Sequence, residues 1–206
     1  MLRRVLLYKD QIEYQTIIGG LRRTLPLVKV DNDLWIASNA GIILGDIEFI
    51  SNAARLMVEK IAAFEPEIVV TPEAKAIAFA YQVAKDLGHA RMIVVRKSIK
   101  SYMENYIMER VKSITTNEFQ TLVLTLEDAS MLKGKRICII DDVVSTGGTI
   151  RALENLVKKA ECSIVCKASI WIEGPWYSDE LVYLGELPIF VSEKKFKELQ
   201  QTMTTQ

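Results

Sequence analysis

The stretch Ile137-Cys138-Ile139-Ile140-Asp141-Asp142-Val143-Val144-Ser145-Thr146-Gly147-Gly148-Thr149-Ile150 decides how this chain is read. Four apolar residues form a short buried strand that delivers two adjacent carboxylates to its carboxyl end, the place where an open α/β sheet binds ligands. Ser145 to Thr149 then supplies hydroxyls and two glycines, whose missing Cβ atoms let backbone N–H groups curl round an anion at the N-terminus of the next helix. Such a segment is a phosphate cradle. Two acids beside it suit a ligand that has a phosphate and neighbouring hydroxyls, because carboxylates accept hydrogen bonds from a diol; ribose 5-phosphate has both. A βα turn with Gly-Gly can also serve packing alone, and paired acids can hold a metal or carry a phosphoryl group. The spacing is not Gly-x-Gly-x-x-Gly, and the lysine of a Gly-x-x-x-x-Gly-Lys loop is missing, so dinucleotide and P-loop readings fall away.

Outward from this segment the pattern alternates. Downstream, Ile150, Leu153, Leu156, Val157 and Ala160 mark the inner face of a helix, and Ser163 to Ile172 follows as a strand. Upstream, Asp46 is a good N-cap for a helix carrying Ile47, Ile50, Ala54, Met57, Val58 and Ile61 on one face, closed by Pro66. Ile68 to Val70 is a short strand entering the turn Thr71-Pro72-Glu73-Ala74-Lys75. Ile77, Ala80, Tyr81, Ala84 and Leu87 then mark a helix stopped by Gly88, and Met92 to Val95 gives another strand. Apolar strands alternating with amphipathic helices predict an α/β fold: an open, mostly parallel sheet with helices on both faces. The alternation breaks between Arg96 and Lys135. Thr121 to Leu126 reads as a strand returning to the sheet, whereas Ser98 to Asn117 is polar, aromatic and mixed in charge, which suggests an excursion or flexible lid. From Arg91 to Lys112, six basic residues (Arg91, Arg96, Lys97, Lys100, Arg110, Lys112) face two acids (Glu104, Glu109), a local excess of +4. The segments before Asp46 and after Ile172 do not fit the sheet pattern and carry Trp35, Trp176 and Tyr177, as a small hood over the sheet would.

Composition bounds the rest. The chain has 206 residues, 50% of them hydrophobic, which predicts one globular domain with its core at about 46–172 and a hood from 1–45 and 173–199. No apolar run approaches the ~18 residues of a membrane span, and Lys9-Asp10 interrupts the first one, so neither membrane nor secretory targeting is expected. Lys+Arg 26 against Asp+Glu 26 gives no net field toward nucleic acid, so any anion site is local. Cys138, Cys162 and Cys166 are odd in number and lie in or beside apolar runs. Buried thiols in a reducing cytoplasm are the expectation, and with His89 the sole histidine no cysteine metal site is.

About a dozen positions of Ile137 to Ile150 resemble the phosphoribosyl-diphosphate signature of the type I phosphoribosyltransferases. The likeness extends over Ile68 to Ile172. Glu118-Phe119-Gln120-Thr121 through Leu132-Lys133-Gly134-Lys135 is similar to the strand and turn that precede the signature in adenine members. Thr71 to Lys75 occupies the place of the diphosphate loop, where the family often has a non-proline cis peptide. Val95-Arg96-Lys97-Ser98 resembles the basic strand end of adenine and xanthine members. The resemblance implies that Asp141 and Asp142 hold the ribose hydroxyls as catalytic residues, and that Ser145, Thr146, Gly147, Gly148 and Thr149 hold the 5-phosphate. It implies that Ala74, Lys75, Arg96 and Lys97 meet the diphosphate, with Arg96 and Lys97 as a solvated strand end the alternative. Glu118 aligns with an acid near the base, an exposed structural glutamate being its alternative. Mg²⁺ is implied as cofactor, sitting on substrate oxygens with Asp141 and Asp142 near it only indirectly. The implied partners are phosphoribosyl diphosphate and a purine base in a homodimer. Ile172-Glu173 is followed by Gly174, where xanthine members have a lysine for the 6-oxo group. The Gly174-Pro175 backbone near Trp176 then favours adenine, with 6-oxopurines and a ligand-sensing regulator of the same fold as alternatives.

Overall fold

The computed structural model describes residues 3–112 and 119–204. In chain order these form β1 (Val5–Leu7), β2 (Glu13–Ile18), β3 (Leu21–Asp31), β4 (Leu34–Ala37), α1 (Ala40–Gly45), α2 (Ile47–Ile61), β5 (Ile68–Pro72), α3 (Ile77–Asp86), β6 (Ile93–Val95), β7 (Tyr106–Lys112), β8 (Phe119–Thr125), α4 (Leu126–Leu132), β9 (Arg136–Val144), α5 (Gly148–Lys158), β10 (Ser163–Glu173), β11 (Val182–Leu187), β12 (Ile189–Val191) and α6 (Glu193–Thr204).

The central sheet has the order β11-β10-β9-β5-β6, and every pairing in it is parallel. The apolar run of β9 shows why both faces must be covered. Cys138 and Ile140 pack with Phe49, Ala53 and Met57 of α2 and Phe79 and Val83 of α3. The intervening Ile137 and Ile139 pack with Ile150, Leu153, Leu156 and Val157 of α5. A strand whose alternate side chains meet two different helical layers reads as a continuous apolar run, as predicted. Asp46 caps α2 by accepting from the Phe49 N–H at 3.0 Å, the role its sequence position suggested.

Residues outside the alternation build a second sheet, ordered β1-β12-β4-β3-β2. The segment after Ile172 divides: β11 extends the parallel sheet beside β10, and β12 crosses to pair with β1 and β4. Several contacts join the second sheet to the first unit, among them the following. Trp171 Nε1 donates to Thr16 Oγ1 at 3.1 Å, Arg23 pairs with Asp46 at 2.6 Å, and Ile18 and Leu25 enter the α2–α3 side of the core.

Three sequence expectations change. Thr121 to Leu126 does not return to the sheet as a full member: β8 pairs antiparallel with β7, and a single bridge between Arg96 and Val123 joins this arm to the end of β6. The proposed lid is therefore partly built structure. Lys159, just past α5, donates to the Met108 carbonyl at 2.9 Å and pairs with Glu109 at 2.6 Å, and Met103 is buried. Lastly, Cys138 and Cys166 are disulfide-linked rather than free thiols, which leaves Cys162 as the free cysteine. They occupy paired positions on adjacent strands. Sequence separation alone could not show that adjacency, and the cysteine argument for a reducing compartment falls with it.

Candidate active site

β9 carries the two acids to the mouth of the sheet and continues past them to Val144, so Asp141 and Asp142 lie just inside the strand end. Both are nearly enclosed, 7% and 6% exposed. The Asp142 N–H donates to Asp141 Oδ1 at 2.9 Å. Burial pushes the Asp141 carboxyl well up from its ordinary value, the Asp142 charge adds to the rise, and Lys97 opposes it. Asp142 Oδ2 faces Lys75 Nζ at 3.3 Å and accepts no hydrogen bond.

The loop after β9 is shaped for an anion. Gly147 is the N-cap of α5 with φ +78°, and a Cβ there would lie 2.2 Å from the Tyr177 ring. Only glycine fits both the left-handed backbone and that close approach. A glycine N-cap brings no side-chain acceptor, so the first N–H groups of α5 stay open to a ligand. Arg151 braces the loop from outside: it donates to the Thr146 carbonyl, pairs with Asp179 at 3.1 Å and lies 5.6 Å from the Tyr177 ring centre.

Opposite stands the loop after β5, where the Glu73–Ala74 peptide is cis. Glu73 organises the basic strand end. Its N–H donates to Val95 O at 2.8 Å, its carboxylate accepts from the Lys97 N–H at 3.0 Å, and it pairs with Arg96 at 3.3 Å. Arg96 is thus partly neutralised, while its buried Nε lacks an acceptor. The structure therefore gathers Lys75, Arg96 and Lys97 with Asp141, Asp142 and residues 145–149 at one end of the parallel sheet. Glu118 lies outside the described residues.

Sequence reasoning missed two acids here, Glu73 and Glu173. Glu173, at the end of β10, is 7% exposed. Burial pushes its carboxyl up to about 7, offset by a hydrogen bond from Ser145 and by Lys75, while Asp142 adds to the rise. The Ile-Glu pair had drawn attention to Gly174 instead. That expectation also changes: the Gly174 carbonyl accepts from Arg4 Nε at 2.6 Å and its N–H donates to Leu187 O at 3.0 Å, so this backbone is not free to read a base. Trp176 packs on Gly174 and remains 40% exposed.

The donor set suits a hard cation that keeps its place through substrate oxygens. Asp142 Oδ2 is a buried oxygen without a hydrogen bond, and among the described residues no three His, Cys, Asp or Glu side chains converge as a closed metal cage. Mg²⁺ fits such a site.

Comparison with known proteins agrees with this architecture. Residues 43–176 match the phosphoribosyl transferase domain model. The chain is 33% identical over 151 residues to an adenine phosphoribosyltransferase of Thermosipho africanus, covering 73% of this chain and 81% of that protein. It is 28% identical over 160 residues to the purine biosynthesis transcriptional repressor PurR of Bacillus subtilis, covering 77% of this chain and 55% of the repressor. The solved adenine phosphoribosyltransferase of Thermoanaerobacter pseudethanolicus superposes with a TM-score of 0.66 at 18% identity, covering 79% of this chain and 95% of that one, which shows the shared fold. The chain belongs to the phosphoribosyl transferase domain family, with the type I fold and the glycosyl-transferring chemistry of that family.

Proposed function

We propose that this protein is a purine phosphoribosyltransferase that moves the 5-phosphoribosyl group from phosphoribosyl diphosphate to adenine and releases diphosphate. The observation that carries the reading is the meeting of the buried Asp141–Asp142 pair with the Gly147-capped N-terminus of α5 on one side and Lys75 on the other. In the reaction the C1–O bond to diphosphate breaks and a bond from C1 to a ring nitrogen forms, through an oxocarbenium-like state. The carboxylates of Asp141 and Asp142 accept from the ribose hydroxyls and lie near the developing cation. The N–H groups and hydroxyls of residues 145–149 take the 5-phosphate. Lys75, Arg96 and Lys97 meet the charge that collects on the leaving diphosphate. Mg²⁺, when bound, would supply further charge neutralisation for the leaving diphosphate, and Asp141 and Asp142 are the residues that would help to hold it, indirectly through the substrate. Glu118 is the proposed acid near the base nitrogen.

Adenine is favoured because adenine phosphoribosyltransferases stand among the similar proteins and because Gly174 supplies no side-chain donor for a 6-oxo group. The second sheet is proposed as the hood over the base. A cytoplasmic homodimer is the proposed working form, as the family resemblance implies. The likeness to PurR keeps a second reading, a phosphoribosyl-diphosphate sensor. Diphosphate release on mixing with adenine, hypoxanthine, guanine and xanthine in turn decides between them. Turnover with adenine highest supports the proposal, higher efficiency with a 6-oxopurine replaces the base, and binding without turnover favours the sensor.

A further inference from the structure

Between β10 and β11 the chain reaches the phosphate loop with two side chains, Tyr177 and Asp179. Tyr177 is buried, 2% exposed, in the same cluster as Val144 of β9 and Ile150 and Leu153 of α5. Its ring lies so close to Gly147 that a Cβ there would stand 2.2 Å from it. Two cations flank the ring: the Arg151 guanidinium 5.6 Å from its centre and the Lys167 ammonium at 5.9 Å, the latter paired with Glu154 at 2.7 Å. The Tyr177 hydroxyl is buried without a hydrogen-bond partner. The contacts therefore use the ring and leave its polar tip idle.

Arg151 works on the same turn from the helix side. It donates to the Thr146 carbonyl and, through Nη1, to Asp179 at 3.1 Å. Arg151 and Asp179 are each half-exposed, and an ion pair so open to water adds little stability. Its effect is on direction. In a trans peptide such as Thr146–Gly147, C=O and N–H point opposite ways. Holding the Thr146 carbonyl against the guanidinium thus turns the Gly147 N–H away from Arg151.

We propose that Arg151 and Tyr177 are positioning residues for the 5-phosphate: the guanidinium orients the Thr146–Gly147 peptide, and the ring fixes where Gly147 lies. The cradle is then formed before the ligand arrives, so binding does not spend free energy on ordering it. The inference rests on the site reading given above and deepens it.

Calorimetric titration tests it with two probes that each fill one end of the site, ribose 5-phosphate and inorganic diphosphate with Mg²⁺. Arg151→Met and Tyr177→Leu each weaken ribose 5-phosphate binding about tenfold, the scale of one hydrogen bond to a charged group. Diphosphate binding stays within about twofold, because Lys75, Arg96 and Lys97 are untouched. Tyr177→Phe keeps the ring and binds both probes as wild type does. The tenfold loss in Arg151→Met persists at about 0.5 M KCl, where attraction by an exposed charge is screened. Should Tyr177→Leu not fold, Tyr177→Met, which refills the space without a flat ring, takes its place. Unchanged ribose 5-phosphate binding, an equal loss of diphosphate, a loss that salt abolishes, or Tyr177→Phe as weak as Tyr177→Leu each overturn the positioning role and leave the enzyme reading intact. A wild-type protein that neither binds phosphoribosyl diphosphate nor forms nucleotide overturns both.

Discussion

At the residue scale the site sets charge against burial, and its variants separate function from stability. Asp141 and Asp142 lie where their loss removes diol contacts without opening the core. Asp141→Asn with Asp142→Asn is therefore expected to fold, with an unchanged circular dichroism spectrum, and to lose turnover by at least ~1000-fold. Nucleotide formation near the wild-type rate in that folded variant would sink the assignment. Glu173 gives the converse result. Its carboxyl rises to about 7 from an ordinary 4.5, with Ser145, Lys75 and Asp142 as the groups facing it. An acid raised on folding binds its proton more tightly in the native chain. The unfolded chain ionises first, so stability is lost as pH rises from about 4.5 and the loss is complete above about 7. The shift corresponds to roughly 3 kcal/mol as an upper bound. Glu173→Gln removes that slope: by urea unfolding it gains stability over wild type at pH 8 and little at pH 4.5, while Asp141 contributes equally to both proteins. A gain of the same size at both pH values contradicts this account.

At the element scale the parallel sheet was legible and its appendages were not, for one reason. β5, β6, β9 and β10 are apolar runs next to amphipathic helices, so local pattern fixes them, whereas β11, at the sheet edge beyond Ile172, carries no such pattern. β3 alternates weakly, with Arg22, Arg23, Thr24 and Lys29 along it, and β1 finds its parallel partner at Ile189, far beyond any local window. The β7–β8 arm was half legible. Its strand β8 was read from Thr121 to Leu126, but its partner β7 was absorbed into an expected lid because Glu109, Arg110 and Lys112 hide the alternation. Glu173 escaped as a site residue for a different reason: nothing in one sequence shows that the end of β10 faces the loop after β9. Lys159 anchors β7 through Met108 and Glu109, a half-exposed contact whose loss is worth little to global stability. Lys159→Ala is expected to leave the melting temperature within about 2 °C, while amide exchange of Tyr106 to Arg110 quickens about threefold. Unchanged exchange there means that the ribbon pairing alone holds the arm.

At the scale of the whole molecule the two sheets divide the substrates between them. The parallel sheet supplies every group proposed for phosphoribosyl diphosphate, and the second sheet is joined to it at the turn that follows β10. Arg4 makes that join. It is nearly buried, donates to the Gly174 carbonyl at 2.6 Å and pairs with Glu186 at 3.2 Å, so a residue just before β1 fixes the turn beside Trp176. A buried guanidinium carrying two polar contacts holds its partners in one geometry, and its removal frees a carbonyl and a carboxylate at once. If the second sheet forms the hood over the base, loosening this join harms base binding and spares the phosphate end. Arg4→Met, which keeps the length and bulk of the side chain, is therefore expected to raise the KM for adenine at least about fivefold. The KM for phosphoribosyl diphosphate should stay within about twofold of wild type, because Lys75, Asp142 and the 145–149 loop are all held by the other sheet. Initial rates with each substrate varied in turn measure both constants. A rise confined to phosphoribosyl diphosphate would place the base elsewhere and leave the second sheet without a part in recognising it.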